Sequence, residues 1–311
     1  MTAQAFQGVT PALSHLGVIR AEGADAAAFL HGQLTQDFVL MKPDQARLSA
    51  LCTAKGRMVA SFIGIRPVPN TVLLLCSADI LAATLKRLSM FVLRAKVKLS
   101  DASADWRVQG LAGSALSTHG LDAQAAPWHM QAVGDAFAIH LYPADGMPRA
   151  LWLAPASTPA VEGPALSAAQ WAWGEVRSGI TTLSAPVLDA FVPQMLNYES
   201  VDGVNFKKGC YPGQEIVARS QFRGVLKRRT FLVTADAPLQ VGQEVFAGSD
   251  SDQPVGTVAQ SAEGTDGQWA ALISMQIAAL ESGDLRTVGN EGLKGAALRV
   301  DPLPYALRDD I

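Results

Sequence analysis

The sequence predicts an α+β protein whose C-terminal part is a separate β-barrel. Its 311 residues are enough for two or three domains, each with its own apolar core. Up to residue 225, stretches with apolar residues at helical spacing alternate with stretches in which every second residue is apolar. Beyond it, short strand patterns are separated by turns rich in Gly and Asp, which is typical of a small closed barrel. We therefore expect a mixed region over 1–225 and a barrel over 226–311.

The first third of the chain predicts strands interrupted by two helices. A short strand at 18–20 is followed by apolar residues at helical spacing over 24–34. The apolar stretches 57–65 and 71–76 flank a Pro-Val-Pro-Asn turn and predict a hairpin. Ser77 then favours the start of a second helix, because its side chain is one that commonly caps helices.

The second half predicts further strands and two more helices. A hairpin is expected over 128–141, and 143–164 is expected to be a loop or linker because Pro, Ala and Ser dominate it. Ser167 is expected to begin a helix that Gly179 ends, and Gly224 to end the last helix. Strands are then expected at 226–234, 244–247, 255–260, 269–275 and 297–301.

Composition and cysteine use indicate a soluble cytoplasmic protein. The N-terminus has neither the basic nor the apolar region of a secretory signal, and the most apolar run, 71–85, contains Ser77 and Asp79. The three cysteines cannot all pair and form no C-x-x-C, which suits a reducing compartment. The net charge of −3 excludes a protein that coats nucleic acid with a surface that is basic all over.

Several common chemistries lack their sequence signatures. Neither a glycine-rich phosphate-binding fingerprint nor H-E-x-x-H occurs, and the five histidines show no metal-ligand spacing, so we expect no resident metal. One isolated cysteine is not expected to hold an iron–sulfur cluster permanently. A Cys–His nucleophilic enzyme stays an alternative, although none of the histidines lies near Cys210 in the sequence.

Two stretches concentrate positive charge. Residues 206–229 hold seven cations and one anion, Glu215, in a chain whose net charge is −3. Such an excess favours an anionic partner: a carboxylate tail, a phosphate or nucleic acid. In 93–99, apolar residues alternate with Arg94, Lys96 and Lys98, which predicts a strand with one apolar and one basic face. A solvated basic surface is the alternative in both places.

Cys210 is the strongest functional candidate. Pro212 and Gly213 predict a tight turn directly after it, followed by a helical pattern. A thiol near a helix N-terminus and beside Lys207 and Lys208 is favoured as the thiolate, the form that is nucleophilic and binds metal. The residues alone leave a structural cysteine as an equal alternative.

Six stretches of the sequence, spread in order over nearly the whole chain, match the motifs of one protein family. They are FLHGQLTQD at 29–37, LCTAKGRMVASF at 51–62, LRAKVKL at 93–99, FVPQMLN at 191–197, KKGCYPGQEIVAR with FRGVLKR at 207–228, and DPLPYAL at 301–307. With these stretches the sequence resembles the YgfZ family, folate-binding proteins with the fold of the glycine-cleavage aminomethyltransferase.

The resemblance implies two mixed α/β subdomains and a C-terminal β-barrel around a central folate-binding channel. It implies that Cys210 is the family's cysteine, supported by Lys207, Lys208, Gly209, Tyr211, Gly213, Gln214, Glu215 and Arg219. The residues expected at the folate are Trp171, which would stack on it, Leu16, where bacterial relatives can carry a second tryptophan, and Arg94, Lys96, Gln194 and Asn197. The family is associated with iron–sulfur enzymes, including those that thiolate tRNA.

One departure separates the possible activities. Aminomethyltransferases carry an acidic pair where this chain has Ala60 and Ser61, and neither residue can act as a general base. The leading hypothesis is a cytoplasmic folate-binding accessory protein that supports iron–sulfur cluster assembly or repair, and thereby tRNA modification. Its partners would be transient iron–sulfur enzymes or assembly factors. The alternatives are a folate-dependent aminomethyltransferase and an RNA-binding module.

Overall fold

The computed structural model describes residues 6–223, 225–248, 253–289 and 295–308. Within these ranges the strands form two five-stranded antiparallel sheets and a closed six-stranded barrel, which confirms the α+β class and the C-terminal barrel. The strands are β1 Gly8–Val9, β2 Leu16–Glu22, β3 Ala46–Cys52, β4 Met58–Val68, β5 Thr71–Ser77, β6 Lys98–Asp101, β7 Trp106–Ala112, β8 Met130–Val133, β9 Ala136–Ala144, β10 Met147–Pro155, β11 Arg228–Ala235, β12 Glu244–Ala247, β13 Gly256–Glu263, β14 Trp269–Gln276, β15 Leu285–Thr287 and β16 Ala297–Asp301.

The α-helices of the described residues are short and pack against these sheets. They are α1 Ala26–His31, α2 Ala78–Ser89, α3 Ser114–Thr118, α4 Ala168–Arg177 and α5 Gln214–Phe222. Helix α1 is shorter than the helix expected over 24–34. The segment after it, 32–37, crosses to β3, where the N–H of Thr35 donates to the carbonyl of Ala50 at 3.0 Å.

The first sheet has the strand order β3-β4-β5-β2-β6 and contains the predicted hairpin, since β4 and β5 pair antiparallel with Ile65 opposite Leu73. Strand β5 is buried on both faces. Leu73 belongs to the large core shared by the two sheets, whereas Leu74 packs with α1 and α2. Ser77 precedes α2 as expected, but its hydroxyl donates to Asp79 at 2.6 Å and caps no helix N–H.

The strand expected over 93–99 is wrong for most of its length. Strand β6 begins at Lys98, and Leu93, expected on an apolar inner face, is 86% exposed. The reason is a competing set of backbone partners. The N–H of Lys96 donates to a carboxylate oxygen of Asp25 at 2.7 Å, and the Lys96 carbonyl accepts from the Asp25 N–H. Arg94 and Lys96 therefore lie on an exposed irregular segment.

The second sheet has the strand order β1-β7-β10-β9-β8 and corrects the loop expected over 143–164. The predicted hairpin over 128–141 is confirmed as β8 and β9. Strand β10, however, lies in the middle of the sheet between β7 and β9 and buries Leu151 and Leu153. The run of prolines and alanines concealed this strand because Pro148 and Pro155 lie near its two ends, where a proline is tolerated.

Helix α4 connects the second sheet to the barrel. Its predicted start is confirmed by a capping box, in which Ser167 Oγ accepts the Gln170 N–H at 3.1 Å and the Gln170 side chain accepts the Ser167 N–H at 2.9 Å. Gly179, just past its end, has φ +74°, a conformation that favours glycine. Trp171 faces the core of the sheets, and Trp173 packs against barrel residues.

The barrel has the order β11-β14-β13-β12-β15-β16. Its interior is filled by aliphatic side chains such as Val233, Val258, Ile273 and Met275. The helix end expected at Gly224 lies outside the described residues. Among the helices of the described ranges, none has the length and apolarity needed to cross a membrane.

Candidate functional site

Cys210 differs from the other two cysteines in its accessibility. Cys52 in β3 and Cys76 in β5 are buried, whereas Cys210 is exposed. Burial raises the pKa of Cys52 and of Cys76 to about 12, so both remain protonated at neutral pH. Since the thiolate is the reactive form, the two buried thiols are inert and Cys210 is the thiol that a partner can reach.

Lys208, expected to be a cation near Cys210, is buried, and its ammonium makes hydrogen bonds to the backbone. Its ammonium donates to the carbonyls of His31 and Leu34, the latter at 2.9 Å. The same nitrogen lies 4.6 Å from the ring centroid of Tyr211, a cation–π contact. The hydrogen bonds of Lys208 therefore hold the cysteine motif against the end of α1. The side chain of Lys207 is exposed.

Burial and two neighbouring groups determine the pKa of Lys208. Burial lowers the pKa of Lys208 from 10.5 to about 8, against the opposing influence of Asp37 and Cys210, whose negative charges favour the ammonium. At pH 7 the side chain is still mainly protonated. Lys208 thus places a positive charge near Cys210 at neutral pH and loses it at a lower pH than an exposed lysine would.

This setting predicts a pH dependence of stability. Below pH 8 both the folded and the unfolded protein carry the ammonium, and the folded protein bears the full cost of burying it. Between about 8 and 10.5 the unfolded state binds more protons, so the contribution of Lys208 to stability rises with pH. We expect the unfolding free energy of wild type, relative to Lys208→Met, to increase from pH 7 to pH 10 in urea titrations. The exposed neighbour gives the control: Lys207→Met should show no such trend.

The turn after Cys210 is built against the loop that follows β3. Gly213 has φ +81°, and a Cβ added there would overlap the carbonyl oxygen of Thr53 and approach Gly56 Cα at 2.8 Å. Only glycine fits this close crossing of two chains. Helix α5 begins directly after Gly213, so Cys210 lies four residues before the first helical residue, Gln214. The sequence motifs LCTAKGR and GCYPGQE are therefore packed on each other.

The end of α1 carries a histidine that sequence reasoning did not select. His31 Nδ1 lies 3.0 Å from Asp37 Oδ1, and the opposite ring nitrogen, Nε2, lies 3.4 Å from the place that a Cβ on Gly209 would occupy. The sequence signal was present in FLHGQLTQD, which holds both residues. It could not be read because 178 residues separate His31 from Gly209.

A cavity with a basic lining lies beside helix α5. The cavity has a volume of about 470 Å³, and four cations line it together with exposed apolar residues such as Val225. The cations are Arg219, Arg223, Lys227 and Arg228. Burial lowers the pKa of Arg228, and the charge of Arg57 lowers it further, as expected for cations held close together. At the start of α5, Glu215 is exposed and Gln214 is half-buried.

Trp171 has no exposed face in this structure. Its ring is fully buried, with Phe6 stacked at 6.1 Å between centroids and the Arg149 guanidinium at 5.2 Å. The indole N–H donates to Glu175 at 3.0 Å, and Gly110 lies against the ring because any larger residue there would overlap it. Stacking of Trp171 on folate stays a prediction, and it requires these covering groups to move.

The other residues expected at the folate are dispersed. Leu16 begins β2 and is half-buried against the core of the sheets. The buried amide of Gln194 donates to the Val217 carbonyl of α5 at 2.7 Å, and that of Asn197 donates to the Thr230 carbonyl of β11 at 2.8 Å. Both amides thus hold the segment 193–197 between α5 and the barrel. The structure does not bring Arg94 and Lys96 to this segment, since both are exposed and the backbone of Lys96 bonds to Asp25.

At the two positions where aminomethyltransferases carry an acidic pair, this chain has uncharged, buried residues. Ala60 is fully buried in β4, and Ser61 Oγ accepts the N–H of Leu183 at 2.8 Å. The Ser61 hydroxyl is therefore hydrogen-bonded to the backbone of the segment that follows α4. A carboxylate that could bind an amine is absent from both positions.

Comparison with solved structures defines the class of fold. The crystal structure of glycine cleavage system aminomethyltransferase T from Bartonella henselae superposes with a TM-score of 0.70, covering 98% of this chain and 88% of that one, at 16% sequence identity. The chain therefore has the aminomethyltransferase fold, as the resemblance implied.

Comparison with curated proteins finds relatives that share one name. The chain is 29% identical to tRNA-modifying protein YgfZ of Cronobacter sakazakii over 92% of its length and 90% of that protein. It is also 29% identical to the protein of that name from Sodalis glossinidius, and 28% identical to the one from Escherichia coli strain SMS-3-5, with at least 90% of each chain covered. No protein-family model matches the chain. The resemblance to the YgfZ family is confirmed over nine tenths of the chain.

Proposed function

We propose that this chain is a cytoplasmic folate-binding accessory protein that supports iron–sulfur cluster assembly or repair, and through it tRNA modification. The observation that carries the proposal is Cys210, an exposed thiol held beside a buried ammonium on an aminomethyltransferase fold. A soft, accessible thiol suits transient iron ligation or thiol exchange with a client enzyme. The name of the relatives, tRNA-modifying protein, supports the last step.

Two further features favour an accessory role over aminomethyl transfer. The positions of the acidic pair hold Ala60 and Ser61, so an amine substrate would find no carboxylate there. The cations that line the cavity beside α5 belong to the same basic stretch, 206–229, as the cysteine motif, and the glutamate tail of a folate is anionic. In this proposal the thiol and the folate act on one face of the protein.

The folate part of the proposal is tested by titrating tetrahydrofolate while following tryptophan fluorescence. We expect saturable binding by wild type and binding weakened about fivefold in Trp171→Phe, because a smaller ring stacks less well. Phenylalanine is preferred to alanine, since removing a buried tryptophan side chain costs about 3–5 kcal/mol and would unfold part of the molecule. Trp152→Phe, in β10 on another core, is the control and should bind as wild type does. Absence of binding by wild type would reject the folate proposal.

A further inference from the structure

An apolar groove lies beside α2. Its volume is about 280 Å³, and it is lined by β4, by α2 with the residue that follows it, and by the segment 185–190. The apolar residues of the lining are Val59, Ile80, Ala83, Met90 and Leu188. Met90 is 62% exposed and Leu188 is 37% exposed. The groove is therefore a concave apolar surface that faces solvent.

Hydrogen bonds hold the walls of this groove in place. The Asp79 carboxylate, in the first turn of α2, accepts the N–H of Ala185 at 2.9 Å. At the other end of the segment, the N–H of Asp189 donates to the carbonyl of Met58 in β4 at 2.9 Å. Helix α2 itself packs on the first sheet through its buried face. Because helix and segment are tied to each other and to the same sheet, a partner would not need to order the groove on binding.

Positive charge lies at the groove. Lys86 and Arg87 line it, and no acidic side chain is among the described residues of the lining. The chain from residue 80 to residue 100 contains five cations and no acid. None of the five forms an ion pair with any other residue that the structure describes. An anionic partner would therefore meet cations that have no salt bridge within the described protein.

The exposed apolar surface continues along the chain beyond the groove. Phe91 is 44% exposed and Leu93 is 86% exposed, and the exposed Arg94 follows them. Two hydrogen bonds hold these residues in turns: the Phe91 N–H donates to the Leu88 carbonyl at 3.0 Å, and the Leu93 N–H donates to the Phe91 carbonyl at 3.0 Å. Exposed Met and Phe side chains next to cations favour a contact with another protein, since Met and aromatic residues are enriched in protein interfaces.

We propose that the groove beside α2 binds an acidic segment of a partner protein. Apolar side chains of that segment enter the groove, while its Asp or Glu side chains lie against Lys86 and Arg87. The concave shape suits inserted side chains better than it suits a membrane surface. Among the described residues, the lining contains no aromatic ring on which a nucleic-acid base could stack. The inference goes beyond the proposed function and depends neither on folate nor on Cys210.

An array of synthetic peptides, probed with the labelled full-length protein, tests the inference. Each peptide has about ten residues, with two Leu or Phe residues at spacings that place them on one face of a strand or helix and with Asp or Glu elsewhere. Matched arrays carry Lys in place of the acids, or Ser in place of Leu and Phe. We expect binding on the acidic apolar array alone, with dissociation constants of about 10–100 µM by fluorescence anisotropy. Affinity should decrease as NaCl concentration is raised.

Two substitutions separate the apolar contribution from the charged one. Met90→Ser removes an apolar side chain from the groove, and Lys86→Glu reverses a charge in its lining. We expect each to weaken the tightest peptide about fivefold to tenfold. Val68→Ser and Lys42→Glu are the matched controls and should bind as wild type does, because both side chains are exposed and neither lines the groove. All four variants should keep the melting temperature of wild type, since each changes an exposed side chain.

The inference is overturned if wild type binds no acidic apolar peptide more tightly than its Lys and Ser counterparts, or if Met90→Ser and Lys86→Glu leave peptide binding unchanged. A single-stranded RNA oligonucleotide and vesicles containing phosphatidylglycerol test two other occupants. Binding of either that Lys86→Glu abolishes, in the absence of peptide binding, would assign the surface to RNA or to a membrane and reject the protein segment. Since no readout involves Cys210 or folate, these failures would leave the proposed function intact.

Discussion

Cys210→Ser is expected to fold and to bind folate like the wild type, yet to leave a strain lacking the protein without iron–sulfur enzyme activity or tRNA thiolation. Serine keeps the size and the hydrogen bonding of cysteine but loses the soft nucleophile and metal ligand. Because the side chain is exposed, the hydroxyl stays solvated and the melting temperature should not change. Complementation and thermal melting measure the two halves of this expectation.

The buried cysteines provide matched controls for this substitution. Cys52→Ser and Cys76→Ser each bury a hydroxyl among apolar neighbours, and we expect each to cost about 1–3 kcal/mol of unfolding free energy while function is retained. The pattern for Cys210 should be the reverse: stability retained and function lost. Full complementation by Cys210→Ser would overturn the functional assignment of this thiol. A clear decrease in the melting temperature of that variant would instead indicate a structural role.

Local sequence patterns were sufficient where the deciding interactions are local. The capping box that begins α4 involves residues three positions apart, and the turn at Gly213 follows from the Pro-Gly pair. The exposure of Cys210 agrees with its place in a polar turn. In each case the residues that determine the structure lie within a few positions of each other, so periodicity and residue type could identify it.

Patterns failed where a distant partner decides the structure. The Asp25 carboxylate accepts the backbone N–H of Lys96, and the strand expected from residue 93 begins only at Lys98. The carbonyls of His31 and Leu34 accept hydrogen bonds from the Lys208 ammonium, and nothing in the neighbouring sequence indicated that this cation is buried. Trp171, expected at a ligand, is covered by Phe6. None of these contacts leaves a trace in the local sequence, because its two members lie far apart in the chain.

The largest effect on stability is expected at the ion pair between Glu199 and Arg229. The guanidinium donates to Glu199 Oε1 at 2.7 Å, with side-chain exposures of 0% for Glu199 and 9% for Arg229. Ser200 Oγ donates to the same carboxylate oxygen at 2.9 Å. The pair joins the segment before the cysteine motif to β11, the first strand of the barrel. Removing one partner leaves a buried charge without its counterion, which costs far more than the pair itself contributes.

We therefore expect Arg229→Met to lower the free energy of unfolding by about 3–5 kcal/mol, measured by urea denaturation at pH 7. Replacing both partners removes both charges, so the double variant Arg229→Met with Glu199→Met should recover most of that loss. Arg223→Met, on the exposed end of α5, is the control and should change stability by less than about 0.5 kcal/mol. A double variant as unstable as Arg229→Met would mean that packing around the guanidinium, rather than its charge, holds the barrel to the rest of the protein.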